Sequence, residues 1–330
     1  MVSTTLVFTA WIFLFTSIYA VRLLNDGLYR AFKAVIILNA LLFLAALLIL
    51  PFPQARDLMW YSIPISPEIP GFPRLKLLAY ESSHYALLMT PVFLYFILRV
   101  MTGKSNHPLL VVLAVGVPLA FSLSFGVLAA LIIALIIGSI IYIRNLSATY
   151  YRYFLYGAMF TLVAALLVYF LWPENPVYTR IHNIFSGADT SAKGRLRDSF
   201  MFAFDLVRNN RLIMGIGPGQ IKILAHDLII NSYQYSGEYA EVVRIPNSMA
   251  EMLATYGFYG ALLKTFFLLF FFFRLKIYNN LYRFILFIFM FIYQFTGSFT
   301  VNIAELGTWA IIFSARAKEF DINRLKELKA

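Results

Sequence analysis

The sequence predicts an all-α fold, a polytopic transmembrane helical bundle of about nine spans with one large extracytoplasmic loop that contains an amphipathic helix. Three observations predict it. Apolar residues make up 61% of the chain and charged residues only 13%, and the apolar ones fall in runs long enough to cross a hydrocarbon core of about 30 Å. The formal charge of +11 is carried by one set of inter-run segments, with 15 Lys and Arg against 4 acids, while the alternate segments hold 11 against 10. That asymmetry is the positive-inside pattern of inserted helices, so the charge calls for no nucleic-acid partner. Third, the polar stretch 172–248 interrupts the apolar runs with nearly the length of a small domain.

The spans fall near 2–21, 34–50, 84–98, 108–121, 125–143, 153–171, 252–273, 281–298 and 303–315. The fourth and fifth come from a single apolar run of 36 residues, Pro108 to Ile143, which as one helix would be about 54 Å long. A break at Ser122-Leu123-Ser124-Phe125-Gly126 divides it. An unbroken helix would invert everything downstream and put Arg144, Arg152, Arg274, Lys276 and Arg283 outside, against the charge pattern. With the break, 1–330 is one membrane domain, 51–83 and 172–248 face the periplasm or cell exterior, and 316–330 is a cytoplasmic tail. The apolar stretch Val2–Ala20 has no preceding Lys or Arg, which argues against a cleaved signal peptide, and an outside N-terminus would fit an earlier span ahead of Met1.

The segment 51–73 holds Pro51, Pro53, Pro64, Pro67, Pro70, Gly71 and Pro73, a composition expected of an irregular, extended loop. From Gly194 to Asn210, Leu196, Phe200, Ala203, Phe204 and Val207 recur at helical spacing, giving a helix with one apolar face suited to the membrane interface or to capping the bundle. The absence of Cys excludes disulfides and thiolate metal sites. With no Walker A sequence, no His-Glu-x-x-His and only four scattered histidines, no metal ligand set and no cofactor are expected.

Several groups can carry chemistry. Glu81 and His84 lie about one helical turn apart at the mouth of the third span, where a proton acceptor could act; the bland reading is a carboxylate at a helix start. Asn247 and Glu251 are similarly placed before the seventh span, where capping is the bland reading. Gly215-Ile216-Gly217-Pro218-Gly219 could aim amides at a phosphate, or simply end a helix in a tight turn. Lys264 is a mid-span charge, paired with Glu305 or a lipid phosphate, or else snorkelling to the surface.

In order along the chain, Arg74-Leu75-Lys76, Glu81-Ser82-Ser83-His84-Tyr85-Ala86, Gly194-Arg195 before a helix, Gly215-Ile216-Gly217-Pro218-Gly219, Asn247 and Gly257-Phe258-Tyr259-Gly260 span about half of it. This order resembles the O-antigen polymerase/ligase superfamily, and most closely its polymerases. Pro246 stands where a ligase-type His would precede Asn247, and Ser124-Phe125-Gly126 lacks the Arg that often follows Ser at this bend. The resemblance implies a metal-independent glycosyltransferase of the bacterial inner membrane. It would join undecaprenyl-diphosphate-linked oligosaccharide repeats at the periplasmic face, among membrane lipids and in company with a chain-length regulator and a flippase. Arg195 and Arg74, with their forked donors, and Glu81 as base are the implied catalytic groups. Arg197, His84, Gly217, Gly219, Asn247 and Glu251 are the implied substrate-binding groups. A ligase acting on lipid A core is the near alternative. A transporter or flippase is the distant one, disfavoured because the first six spans carry no Asp, Glu, Lys or Arg between their ends.

Overall fold

The computed structural model describes residues 28–61, 73–142, 159, 163, 167, 169–172, 175–208, 213–233, 243–297, 302–314 and 318–323. The expected first span, most of the expected sixth, and 62–72 lie outside these residues. What is described is an all-α membrane protein. Four helices are long and apolar enough to cross a membrane: α1 (Leu28–Ile49), α3 (Ser82–Met101), α5 (Phe125–Tyr142) and α11 (Ser248–Arg274). Three shorter apolar helices accompany them: α4 (Pro108–Phe121), α12 (Leu281–Thr296) and α13 (Ile303–Phe313).

The divided apolar run is present. Helix α4 ends at Phe121, the Ser122 hydroxyl donates to the Leu119 carbonyl at 2.6 Å, and Leu123 takes the left-handed conformation (φ 45°) that turns the chain into α5. Helix α3 lies centrally and packs on α4, while α5 packs along α12. That last contact is close. A methyl at Gly138 would fall 2.4 Å from Ile285 Cγ1, so the small residue sets the helix separation. Asn39 ties α1 to its neighbours, donating to the Ala114 carbonyl at 3.3 Å and accepting from the Tyr85 hydroxyl at 2.7 Å. Outward, α1 exposes Ile37, Leu38, Leu41, Leu44 and Leu48. In a membrane protein such a face belongs against lipid.

Four expectations are corrected. The 51–73 segment is not wholly irregular: α2 (Pro53–Met59) starts on a proline, where the missing N–H costs nothing, and β1 (Trp60–Tyr61) pairs antiparallel with β2 (Arg74–Leu75). The Trp60 indole donates to the Ala46 carbonyl at 2.8 Å and seats this hairpin on the end of α1.

Next, Arg283, read as a flanking charge, is engaged by the bundle, and so is the described part of the stretch after α13. A 3-10 turn at Lys318–Phe320 docks on the bundle, with Phe320 buried, Glu319 bound by Arg99 and the Tyr95 hydroxyl, and Asp321 accepting from Asn280 at 2.7 Å. Arg283, expected as a flanking charge, is buried and caps α13 through Nε to the Ile312 carbonyl at 2.7 Å.

The third correction concerns the amphipathic helix. It runs as α7 (Thr190–Lys193), a π turn over Gly194–Asp198, and α8 (Ser199–Val207). The wider turn inserts a residue into the 3.6 period and rotates the faces. Phe202, Ala203 and Val207 are buried as a result, whereas Leu196 and Phe204 are half exposed.

The fourth is the seventh span. Lys264 Nζ donates to Ser248 Oγ at 2.7 Å, although the two residues would be about 24 Å apart along a straight helix. Helix α11 therefore folds back on itself at Gly257 (φ 67°, ψ −168°). Its first arm belongs with the 175–247 segment: Ala250, Leu253 and Ala254 join Phe202, Ala203, Ile216, Ile221 and Ile245 in a second apolar core, separate from that of the bundle. The second arm, Phe258–Arg274, measures about 26 Å and carries the lipid-suited Phe266, Phe267, Phe270 and Phe271.

Candidate functional site

The fold-back creates a local problem, which the glycine-rich turn solves. Breaking α11 frees the carbonyls of Ala254 and Thr255 and the amide of Tyr259. The amides of Ile216 and Gly217 donate to those two carbonyls, each at 2.9 Å, and the Tyr259 amide donates to the Ile213 carbonyl at 3.2 Å. The backbones meet without side chains between them. A Cβ at Gly215 would lie 2.4 Å from the Thr255 oxygen, and one at Gly257 would lie 2.3 Å from the Ile213 oxygen. The Gly217 amide is thus engaged within the protein, as the tight-turn reading of this segment expected. Gly219 instead lies on the wall of a cleft.

At one end of the bundle the start of α3, the α4–α5 bend, the end of α12, the start of α13 and the π turn converge. Glu81 is the N-cap residue of α3, but its carboxylate caps nothing. It accepts from the Ser83 hydroxyl at 2.8 Å and pairs with Arg195 Nη2 at 3.7 Å. Arg195 projects from the π turn, which is closed by the Ser199 amide bonding the Gly194 carbonyl and by the Ser199 hydroxyl on the same oxygen at 2.7 Å. Its Nη1 reaches the bend, 3.9 Å from where a Gly126 Cβ would be.

Asn247 holds this arrangement from behind. Fully buried, it donates to the Arg195 carbonyl at 2.8 Å and the Phe295 carbonyl at 2.7 Å, and accepts from the amides of Met249 and Ala250. All four of these contacts are within the protein, so it positions Arg195 and caps α11, as the capping reading expected.

Two further guanidinium groups share the field of Arg195. Arg74 lies over the Tyr61 ring at 4.8 Å. Burial pushes its pKa down, with Tyr61 and Glu81 opposing the shift and Arg195 adding to it. Arg180, on α6 (Pro176–Ser186), lies over the Phe125 ring at 5.0 Å and pairs with Asp189 at 3.1 Å. Its pKa is likewise pushed down by burial, with Asp189 opposing and both Arg74 and Arg195 adding. Arg180 was not among the sequence candidates. Nothing local distinguishes it from other loop arginines, since its place in the cluster depends on contacts with residues far away in the chain.

Glu81, Ser83, His84, Arg195, Tyr293 and Asn302 border a small polar cavity. Tyr80, His84 and Asn302 also border a larger cleft of about 730 Å³, whose far walls are Pro218–Lys222, Val243–Ile245 and Glu251. The His84 ring lies tilted against Tyr80 with centroids 4.8 Å apart, and its buried Nδ1 has no hydrogen-bond partner among the described residues. Burial and Glu81 raise the Tyr80 pKa, against Arg244 and Arg195. The structure thus assembles Arg195, Glu81, His84, Gly219 and Glu251 around adjoining spaces, while Arg74 borders neither of them and acts on Arg195 and Glu81 only through its charge.

Arg197 is not assembled with them. It is exposed and borders neither space, because two residues along a helix point to nearly opposite sides. Lys264, by contrast, snorkels toward this end and sits in the field of Glu305 and Glu251. Among the described residues no three His, Asp or Glu side chains converge as a metal site would require. No protein-family model matches the chain, and no curated protein matches it.

Proposed function

We propose that this protein is a surface-polysaccharide polymerase of the bacterial inner membrane. It joins undecaprenyl-diphosphate-linked oligosaccharide repeats at the periplasmic face, with the nine-span topology and the large periplasmic loop that reading requires. The observation that carries it is the pairing of Arg195 with Glu81 on a small cavity that shares Tyr80, His84 and Asn302 with a sugar-sized cleft, at the end of an apolar bundle. A lipid-linked diphosphate needs an apolar flank for its tail, a fixed cation for its charge and a polar space for its sugars. The three lie side by side here.

In the reaction, an acceptor sugar hydroxyl attacks the anomeric carbon of the donor sugar. The bond from that carbon to the diphosphate oxygen breaks, and undecaprenyl diphosphate leaves with both electrons. Arg195 and Arg74 stabilise the charge that grows on the leaving group, and Glu81 takes the acceptor's proton.

Deleting the gene and separating the lipopolysaccharide on a gel tests the assignment. A polymerase deletion leaves core carrying a single repeat. Bare core would instead indicate a ligase, and an unchanged ladder would exclude both. For the topology, reporters fused after Asn145 and after Asn279 are expected to read cytoplasm, and one near Gly187 to read the outside. A cytoplasmic reading at Gly187 would overturn the nine-span arrangement.

A further inference from the structure

We infer that α6 (Pro176–Ser186) lies in the surface of the lipid bilayer, its apolar face sunk among headgroups and first acyl carbons on the side of the membrane that holds the 175–247 segment. This contact with lipid holds whatever reaction the site performs.

The faces of α6 are the reverse of those of a helix packed on a core in water. Its polar side chains point inward: Arg180 and Asn183 are each 7% exposed, with Arg180 over the Phe125 ring and beside Asp189. Tyr178, Ile181, His182 and Phe185, spaced i, i+3, i+4 and i+7, form the outward face, and Phe185 is 88% exposed. Water is a poor medium for such a stripe. At 11 residues α6 is about 16 Å long, too short to cross a core of about 30 Å, so lipid meets it along its length.

What covers the stripe follows from the chain ahead of it. Met159, Val163, Leu167 and Phe170 are helical and exposed on one face, which belongs against lipid as the outer face of α1 does. Leu171 and Trp172, 81% and 53% exposed, extend this surface to the foot of α6. The buried Asn175 makes the corner, donating to the Trp172 carbonyl at 2.6 Å and accepting from the Tyr178 amide at 2.8 Å. Across that corner the Tyr169 and Tyr178 rings meet edge to face with centroids 4.9 Å apart, so the two apolar surfaces join. Tyr and Trp, gathered at this junction, are the residue types that settle at the boundary between acyl chains and water. The lipid-facing surface thus passes into the outward face of α6. By contrast, the helix expected at the interface, at 194–207, turns Phe202 and Ala203 into the second apolar core.

The chain contains no cysteine, so single-Cys variants report single positions. Ile181→Cys and Phe185→Cys are spin-labelled in the full-length protein and reconstituted at low density in vesicles of phosphatidylcholine and phosphatidylglycerol. Accessibility to oxygen and to a water-soluble nickel chelate is then measured. Leu41→Cys, on the outer face of α1, marks lipid, and Asp227→Cys, whose native side chain is 92% exposed, marks water. Both α6 labels are expected to show an oxygen-to-nickel ratio at least about fivefold above that of Asp227→Cys, as burial about 5 to 10 Å into the interface requires.

A ratio equal to that of Asp227→Cys would place the stripe in water and overturn the inference. Low accessibility to both reagents, or spin–spin broadening that vanishes on dilution with unlabelled protein, would overturn it as well, since either means that protein covers the face.

Discussion

Arg195→Lys is expected to collapse the polymer ladder to short products at unchanged protein level in the membrane, and Arg195→Ala to do the same. The lysine variant is the sharper test. Lysine restores the charge opposite Glu81 but presents a point donor where the guanidinium offers a planar fork. Arg195 is also held from three sides: the Asn247 amide group on its carbonyl, the closed π turn, and Glu81 ahead of it. With its backbone held in this way, less freedom remains to be lost when substrate arrives, so on the polymerase reading its contact with a developing diphosphate is worth more in the transition state. Losing it should cost about 2 to 4 kcal/mol, or roughly 30 to 1,000-fold in rate. Normal-length polymer at a normal rate in both variants would remove Arg195 from the chemistry and leave Arg74 as the leading candidate.

The second large effect is structural. Gly257→Ala and Gly215→Ala should each destabilise the 175–247 segment by about 2 to 5 kcal/mol, combining left-handed strain with overpacking. At Gly257 the new Cβ would strike the Ile213 oxygen at 2.3 Å and the Gly215 nitrogen at 2.6 Å. At Gly215 it would strike the Thr255 oxygen at 2.4 Å. Limited proteolysis of membrane vesicles, with cleavage mapped between Trp172 and Ser248, reads the loss. Gly103→Ala is the control: its φ of 72° is equally left-handed, but nothing lies within 4 Å of the added methyl, so only the smaller conformational cost remains. Because the two glycines touch, the double variant should cost less than the sum of the singles. Strict additivity, or a Gly103→Ala effect of equal size, would show that the clasp between turn and helix is not what holds this segment.

What the sequence made legible depended on how local the cause was. The bend at Ser122–Gly126 was readable because a 36-residue apolar run cannot cross a bilayer as one helix, and the serines marked where it turns. The cap at Asn247 was readable because a side-chain oxygen ahead of an apolar helix serves the first free amides.

Three features were hidden. Hydrophobicity continues straight through Gly257, so the fold-back of α11 has no compositional trace; its sign is the paired glycines, whose partner turn lies some 40 residues upstream. The face of the 194–207 helix was misassigned because a π turn changes the period without changing the residues. Arg180 reaches Phe125 across more than 50 residues, and no local pattern encodes that meeting. Arg197 shows the converse: it is next but one to Arg195 in the chain and on the other side of the helix.

The π turn sets a trade-off. Removing one residue between Gly194 and Asp198 would let the helix close with ordinary hydrogen bonds and would favour the folded segment, yet it would swing Arg195 by about 100° away from Glu81. A single in-frame codon deletion makes that variant. The deletion variant is expected to exchange the Arg195–Glu81 pair for a more regular helix, so that stability and the placement of Arg195 are set against each other at this one turn.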